Sequence, residues 1–141
     1  MSLFNVFDIT GSGMSAQSVR LNTTASNIAN ADSVSSSAGE TYRSRHPVFA
    51  AAMQKAADGQ NVNSGVGVDV LGVVESDKPL NVEYAPAHPM ADKDGYIYKP
   101  NVNVIEEMTN MISASRSYQT NVQLAESAKN MLNKTLTLGQ R

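Results

Sequence analysis

The stretch FNVFDITGSGMSAQSVRLNTTASNI, residues 4–28, repeats its large apolar residues at intervals of seven. One heptad position is large throughout: Phe7, Met14, Leu21, Ile28. The position three residues earlier is small after its first member: Phe4, Gly11, Ser18, Ala25. Such spacing is typical of a helix that packs along a narrow seam, as in coiled coils. It predicts an N-terminal helix over residues 1–31, with these contact residues: Phe4, Phe7, Met14, Leu21, Ala25, Ile28.

The same stretch is a weak helix former when nothing packs on it. Gly11 and Gly13 each cost about 1 kcal/mol relative to alanine in a helix interior. Residues 22–27 are mostly Asn, Thr and Ser, which compete with the backbone for hydrogen bonds. We therefore expect this helix to become ordered only against a partner.

A second helix is predicted over residues 101–141. Pro100 ends the preceding segment, and Asn103 with Glu106 forms a pattern typical of a capped helix start. Apolar and small residues alternate by three and four and predict a second contact seam: Met108, Met111, Ser115, Tyr118, Val122, Ala125, Leu132, Leu136. A further stripe on a neighbouring face needs a partner of its own, inside or outside the chain: Leu124, Ala128, Met131, Thr135, Leu138.

The central zone, residues 32–100, contains all five prolines and six of the nine glycines. Short apolar runs between these residues predict strands at 42–49, 66–74, 80–84 and 95–99. Residues 50–65 indicate a loop insertion, and residues 92–95 a turn. The fold class is predicted as α+β: long terminal helices that pair in a coiled-coil-like unit, with a small β-rich central segment.

Composition and charge exclude several classes of protein. The 11 basic and 13 acidic residues give a net charge of −2, unlike the strongly basic surface of a nucleic-acid binder. Cysteine is absent, which removes disulfides and thiolate metal sites. We expect neither a membrane-spanning segment nor a signal peptide. The apolar residues are mostly small, so a core built from them would be thin.

No group of residues predicts catalysis. Each of the two histidines, His46 and His88, precedes a proline, and a surface or turn position explains them better than a metal site. Ser12 lacks the Gly-x-Ser-x-Gly spacing of a nucleophile elbow, and Val70 replaces the third glycine of a dinucleotide fingerprint. Arg43 and Arg45 share one strand face and would suit either an anionic partner or solvent. We predict no catalytic residue, metal ligand or cofactor.

The two ends of the chain resemble the bacterial flagellar rod and hook protein family. The N-terminal resemblance rests on AQS (residues 16–18), RLN (residues 20–22) and ASNIANADS (residues 25–33), and the C-terminal one on SASRSYQTN (residues 113–121). Tyr96, residues 100–102 and residues 107–108 are similar to the start of that family's C-terminal helix. HPMAD (residues 88–92) and LTLGQ (residues 136–140) resemble its proximal-rod branch.

This resemblance implies a structural subunit of the flagellar basal body. Rod subunits stack into a hollow helical shaft that transmits motor torque across the periplasm and surrounds an export channel, with the terminal helices as inner tube. It also implies partners: copies of the chain, other rod proteins, the adaptor FliE, the ring protein FliF, and the flagellar type III export apparatus. Phe49 and Met53 match the family's Phe-x-x-x-hydrophobic export motif; a core position in a strand is the alternative explanation for Phe49.

Two other classes of function stay open at this stage. A helical-hairpin adaptor or scaffold of another secretion assembly would be monomeric or form a small closed oligomer with ordered ends. An enzyme would need a pocket with perturbed titratable groups.

Overall fold

The computed structural model describes residues 3–52 and 67–139, and the side chains of residues 5–52 and 67–139. In chain order the elements are α1 (Leu3–Ala29), β1 (Arg45–Ala52), β2 (Gly67–Glu75), β3 (Asn81–Tyr84), β4 (Tyr96–Lys99) and α2 (Val104–Gly139). Two long terminal helices enclose a short β region in the sequence. The predicted α+β class is confirmed.

The strand predictions are confirmed in position, with two corrections to the first strand. β1 begins at Arg45, so residues 42–44 are not strand although they were predicted to be. β1 continues to Ala52, so residues 50–52 are strand where a loop was expected. Alternating Val, Phe and Ala side chains suit an extended backbone, and Pro47 is tolerated because β1 is an edge strand. The rest of the expected insertion, residues 53–65, lies outside the described residues.

The predicted start of α2 is confirmed by its hydrogen bonds. The Asn103 side-chain oxygen accepts from the backbone N–H groups of Ile105 at 3.1 Å and Glu106 at 3.4 Å. These donors have no partner within the helix, so the cap stabilises its first turn. Glu106 and Glu107 lie in that turn, where negative charge complements the helix dipole.

The strands form two small two-stranded sheets, β1 with β2 and β3 with β4. β3 and β4 are antiparallel, with Asn81 opposite Lys99 and Tyr84 opposite Tyr96. The predicted turn between them is held by Asp92, whose carboxylate accepts from Asp94 N at 2.9 Å and Tyr96 N at 2.8 Å. Gly95 has φ +83°, a left-handed conformation that favours glycine.

The contacts divide the chain into two compact units. Unit 1 comprises Met1–Val19, Val48–Gly72 and Ser113–Arg141, and unit 2 comprises Arg20–Pro47 and Val73–Ile112. Each unit therefore combines part of both terminal helices with part of the central zone. The three composition zones, 1–31, 32–100 and 101–141, follow the chemistry of the sequence rather than these contacts.

The core is as thin as the composition predicts. The buried hydrophobic residues within the described ranges are mostly alanines: Ala16, Ala114, Ala128, with Ile97. Polar side chains are as prominent in the interior: Thr10, Thr23, Thr24, Asn27, Thr41, Ser44, Glu107. Since alanine burial stabilises little, hydrogen bonding by the polar members must determine much of the structure.

The Ser12 side chain links α1 to the start of β2 within unit 1. Its Oγ accepts a hydrogen bond from Val68 N at 3.1 Å and donates to Ile9 O at 2.9 Å. A Cβ on Gly67 would lie 2.8 Å from this hydroxyl, and a Cβ on Gly13 would lie 2.8 Å from the Asn121 amide nitrogen. Gly67 thus permits the close approach of β2 to Ser12, and Gly13 permits the close approach of Asn121; no contact explains Gly11, which faces open space.

Replacing Ser12 with alanine should free the Val68 amide without unfolding α1. The lost bond should cost about 1 kcal/mol, the usual net value of one hydrogen bond. Hydrogen exchange measured by NMR should show faster exchange of the Val68 amide. Ser15 is exposed on the same helix, so Ser15→Ala serves as the control and should leave that exchange rate unchanged. Equal exchange in both variants would contradict the anchoring role of Ser12.

Candidate assembly surfaces

Asn27 is the most deeply buried polar side chain of unit 2, with 0% exposure. Its Oδ1 accepts from Tyr42 Oη at 2.8 Å and from Arg45 N at 2.9 Å, and its Nδ2 donates to Arg45 O at 2.8 Å. The amide therefore pairs with both backbone groups of Arg45, as a neighbouring strand would. This arrangement fixes the entry into β1 against the last turn of α1.

Asn101 performs a similar task one residue earlier along the chain, at Ser44. Its Oδ1 accepts from Ser44 N at 2.8 Å, and its Nδ2 donates to Lys78 O at 2.8 Å. Asn81 Nδ2 donates to Pro100 O at 3.0 Å beside it. These bonds hold the segment before α2 to the segments that flank β1 and β2.

Both asparagines belong to the stretches that carry the resemblance to rod proteins. The structure assigns them an intrachain role, which the sequence did not indicate. Asparagine at the end of a helix is usually read as a cap or turn residue, because its side chain competes for nearby backbone groups. Only the burial and the distant partners of Asn27 and Asn101 reveal that they connect separate segments.

The N-terminal contact residues form a stripe that the chain itself covers only in part. Phe7, Met14, Leu21 and Ile28 are half-buried, and Ala25 is exposed. The side chain of Phe4 lies outside the described residues. The large members therefore retain apolar surface that another helix could cover.

The C-terminal contact residues differ in exposure. The half-buried members of the predicted seam are Met111, Ser115, Val122, Ala125, Leu132. The exposed members are Met108 at 53%, Tyr118 at 37% and Leu136 at 58%. The fully buried face of α2 is offset from this seam and contains small or polar residues, Ala114, Ala128 and Glu107.

Small and polar residues contribute a contact between α1 and α2 in each unit. In unit 1, Gly13 adjoins Asn121; in unit 2, Arg20 donates to Asn110 Oδ1 at 2.9 Å. Since an α-helix turns about 100° per residue, the apolar residues of α2 flank this contact face on both sides. Met108, Val122 and Leu136 lie on one flank, and on the other lie Leu124, Met131, Leu138.

The second flank is the more exposed one. Leu124, Met131 and Leu138 are spaced by seven residues and are 51%, 55% and 74% exposed. The sequence indicated that this stripe needs its own partner. Within the chain, Ala128 alone of the predicted stripe is buried, at 1% exposure.

Phe49 of the candidate export motif lies on β1 and is 37% exposed, so it is not a core residue. Met53 lies outside the described residues, so the geometry of the pair is not defined. The nearby arginines have partners within the chain. Arg45 pairs with Glu75 at 2.9 Å and lies 5.4 Å from the Tyr42 ring centre, and Arg43 reaches Ser76 O at 3.4 Å.

Within residues 3–52 and 67–139, no group of three or more His, Asp or Glu side chains is placed to hold a metal ion. Neither of the helices in that part of the chain is long and apolar enough to cross a membrane. On the β3–β4 sheet, the hydrogen bond from Lys99 and its charge lower the pKa of Glu83, and both side chains of this pair are exposed.

Comparison with known proteins matches both ends of the chain to flagellar families. Residues 7–35 match the model described as flagella basal body rod protein, and residues 93–138 match flagellar basal body rod FlgEFG protein C-terminal. The flagellar basal-body rod protein FlgC of Salmonella typhimurium is 50% identical over 140 residues, covering 99% of this chain and all of the relative. The FlgC proteins of Yersinia enterocolitica and Buchnera aphidicola (Schizaphis graminum) are 49% and 41% identical over the same length.

The family matches at both ends of the chain place it in the class of flagellar basal body rod proteins, and its two long terminal helices are consistent with that class. Because the similarity extends over the whole chain, the protein belongs to the FlgC family of flagellar basal-body rod proteins. It is a structural subunit of the basal-body rod rather than an enzyme.

Proposed function

We propose that the chain assembles with copies of itself and with other rod proteins into the hollow helical shaft of the proximal rod. In this role it transmits motor torque, surrounds the export channel and is required for swimming. The observation that carries the proposal is the exposed apolar surface on both flanks of α2. A helix that is apolar beside its intrachain contact needs neighbours on more than one side.

The helix pairing that underlies the shaft is proposed to be coiled-coil-like. Gly13 adjoins Asn121 in unit 1, and Arg20 bonds to Asn110 in unit 2, so α1 contacts α2 within each unit. Small residues in this contact favour a close approach of the two helices. Many small contacts in a tightly packed tube resist deformation, which suits a shaft under torque.

The seams predicted from the sequence are proposed as the surfaces between subunits. Half-buried residues such as Met14 and Leu21 on α1, and exposed ones such as Met108 and Leu136 on α2, would be covered by neighbouring subunits. The adaptor FliE and the ring protein FliF are the proposed partners at the base of the rod. Methionines in these seams suit contacts with several different neighbours, because the side chain adapts to irregular surfaces.

Export through the flagellar type III apparatus into the periplasm is proposed as the route of assembly. Phe49 and Met53 are the candidate export residues. The exposure of Phe49 on the edge strand β1 supports this role, since a recognition residue must be accessible to the export machinery.

The proposal predicts that a tagged copy of the full chain will be recovered in isolated basal bodies only when cells contain the export apparatus. Phe49→Ala should reduce the amount recovered several-fold, because the proposed recognition side chain is removed. Immunoblotting of purified basal bodies against the ring protein as an internal standard measures both effects.

Val48 is the matched control, since it neighbours Phe49 on β1 and is equally exposed at 38%. Val48→Ala should be recovered normally. Normal recovery of Phe49→Ala would contradict only the export role of Phe49 and would leave the proposed function in place. Absence of the unmodified chain from basal bodies would contradict the proposed function as a whole.

A further inference from the structure

The turn between β3 and β4 contains the dipeptide Asp94–Gly95, the aspartyl sequence most prone to rearrangement of its own backbone. In such a pair the glycine nitrogen can attack the side-chain carboxyl carbon of the preceding aspartate, because glycine has no side chain to obstruct the approach. Asp94 is exposed, so its carboxyl group is in contact with water. The turn therefore contains the groups needed for a spontaneous chemical modification.

The reaction needs no enzyme, cofactor or oxidant. The Gly95 nitrogen bonds to Asp94 Cγ and loses its proton, a Cγ–O bond of the carboxyl group breaks, and one water molecule leaves, which produces a cyclic imide. Water then adds to one of the two imide carbonyl groups. Opening at Cγ restores aspartate, whereas opening at the main-chain carbonyl produces isoaspartate, which has the same mass and a backbone longer by one carbon.

Hydrogen bonds hold the Gly95 nitrogen in place and oppose this reaction. Gly95 N donates to Asp92 O at 3.1 Å. The Asp92 carboxylate accepts from Asp94 N at 2.9 Å and from Tyr96 N at 2.8 Å, so the peptide groups before and after Gly95 are fixed by the same residue. Ring closure requires the Gly95 nitrogen to turn towards the Asp94 carboxyl group and release its proton. These bonds must therefore open first, in a local unfolding of the turn.

Residues at the end of β3 restrict the same glycine. Gly95 is buried, and a Cβ placed on it would lie 2.9 Å from Tyr84 Cε2 and 3.2 Å from Pro86 Cβ. Ala85 N also donates to Gly95 O at 2.9 Å. Gly95 thus has little room to rotate while β3 and β4 are paired.

We propose that Asp94–Gly95 is a site of spontaneous isomerisation to isoaspartate, and that Asp92 and the Tyr84 ring keep it unreactive in the folded chain. When the turn opens, the reaction proceeds, and the extra backbone carbon displaces Tyr96 from its position opposite Tyr84. Ile97, which is 3% exposed, follows directly and would be moved out of the interior of unit 2. This inference is independent of the assembly function, because it concerns the chemistry of a single chain.

The rate of isoaspartate formation in the purified full-length chain tests the proposal. The chain is incubated at neutral pH and physiological temperature, with and without urea, and peptide mapping with fragmentation that distinguishes the two linkages measures the product. Asp94 should isomerise roughly tenfold more slowly in the folded chain than in urea, because several hydrogen bonds must open first. Asp58–Gly59, the other such pair in the sequence, lies outside the described residues and calibrates the rate in urea. Equal rates at Asp94 with and without urea would overturn the proposal.

Substitution of Asp92 tests its protective role. Asp92→Ala should raise the rate at Asp94 in the absence of urea roughly tenfold, since two hydrogen bonds of the turn are lost. Asp92→Asn should keep the rate close to that of the unmodified chain, because the amide oxygen can accept the same two bonds. Lys93→Ala is the matched control, since Lys93 is exposed in the same turn. Equal rates in Asp92→Ala and Lys93→Ala would show that Asp92 does not control the reaction.

A second pair of variants decides the matter if circular dichroism shows that Asp92→Ala does not fold. Tyr84 is 65% exposed, so Tyr84→Ala uncovers Gly95 at little cost in stability, and the rate at Asp94 should rise several-fold. Val82 precedes it by two residues on the same face of β3 and is 55% exposed, so Val82→Ala is the matched control and should leave the rate unchanged. Equal rates in these two variants would overturn the role of the Tyr84 ring and with it the proposal.

Discussion

Replacing Asn27 with alanine is expected to produce the largest loss of stability of any single substitution that preserves α1. The change removes three hydrogen bonds at once. It leaves both backbone groups of Arg45 without their side-chain partner, and Tyr42 Oη keeps only its 3.3 Å hydrogen bond with Ser26 Oγ. Leaving buried polar groups unpaired costs more than the bonds were worth, so the free energy of unfolding should fall by about 2–4 kcal/mol. Urea unfolding followed by circular dichroism and tyrosine fluorescence measures this loss.

Asn22 provides the matched control for Asn27, because it is an exposed asparagine five residues earlier on the same helix. Asn22→Ala should leave stability unchanged or raise it slightly, since alanine is the better helix former. Asn27→Asp should also destabilise the chain, because a carboxylate cannot donate to Arg45 O. If Asn27→Ala unfolds at the same urea concentration as Asn22→Ala, the amide does not hold β1 to α1.

Replacing Leu136 with glutamate is expected to abolish swimming while leaving the free chain as stable as before. Leu136 is 58% exposed in the chain, so the free energy of unfolding should change by less than about 0.5 kcal/mol. In the assembled rod the carboxylate would be buried between subunits without a partner, which costs several kcal/mol per contact. Soft-agar swimming and electron microscopy of basal bodies measure assembly, and thermal unfolding of the purified chain measures stability.

Leu21→Glu should also block assembly, but it should destabilise the free chain as well because Leu21 is half-buried in unit 2. Leu136→Glu is therefore the sharper test of a surface between subunits. Asn130→Glu introduces the same charge on an exposed part of α2 away from the contact face, and it should be tolerated. Normal swimming of cells with Leu136→Glu would remove Leu136 from the assembly surface.

Local chemistry made most of the elements predictable. Asn103 determined the start of α2, and Asp92 with Gly95 determined the turn before β4, because in each case the side chain bonds to backbone groups within four residues. The end of β1 was less predictable. Alanines occur in helices, strands and loops, so nothing in residues 50–52 separated strand from loop.

The sequence by itself determined the heptad stripes of both helices, the order of the elements and the membership of a rod family, because each depends on residue types at fixed spacings. Only the tertiary structure decided which face of each helix is used within the chain. The apolar periodicity favoured the large residues as the contact, whereas Gly13 of α1 adjoins Asn121 of α2 and the buried apolar residues of α2 are Ala114 and Ala128. Small residues allow close approach of two helices but contribute almost nothing to hydrophobic periodicity. The hydrogen bonds of Asn27 join residues that are distant in the sequence, so no regular residue spacing indicates them. A sequence pattern therefore indicated which apolar residues form stripes along the helices, and only packing in three dimensions showed which contacts hold the chain together.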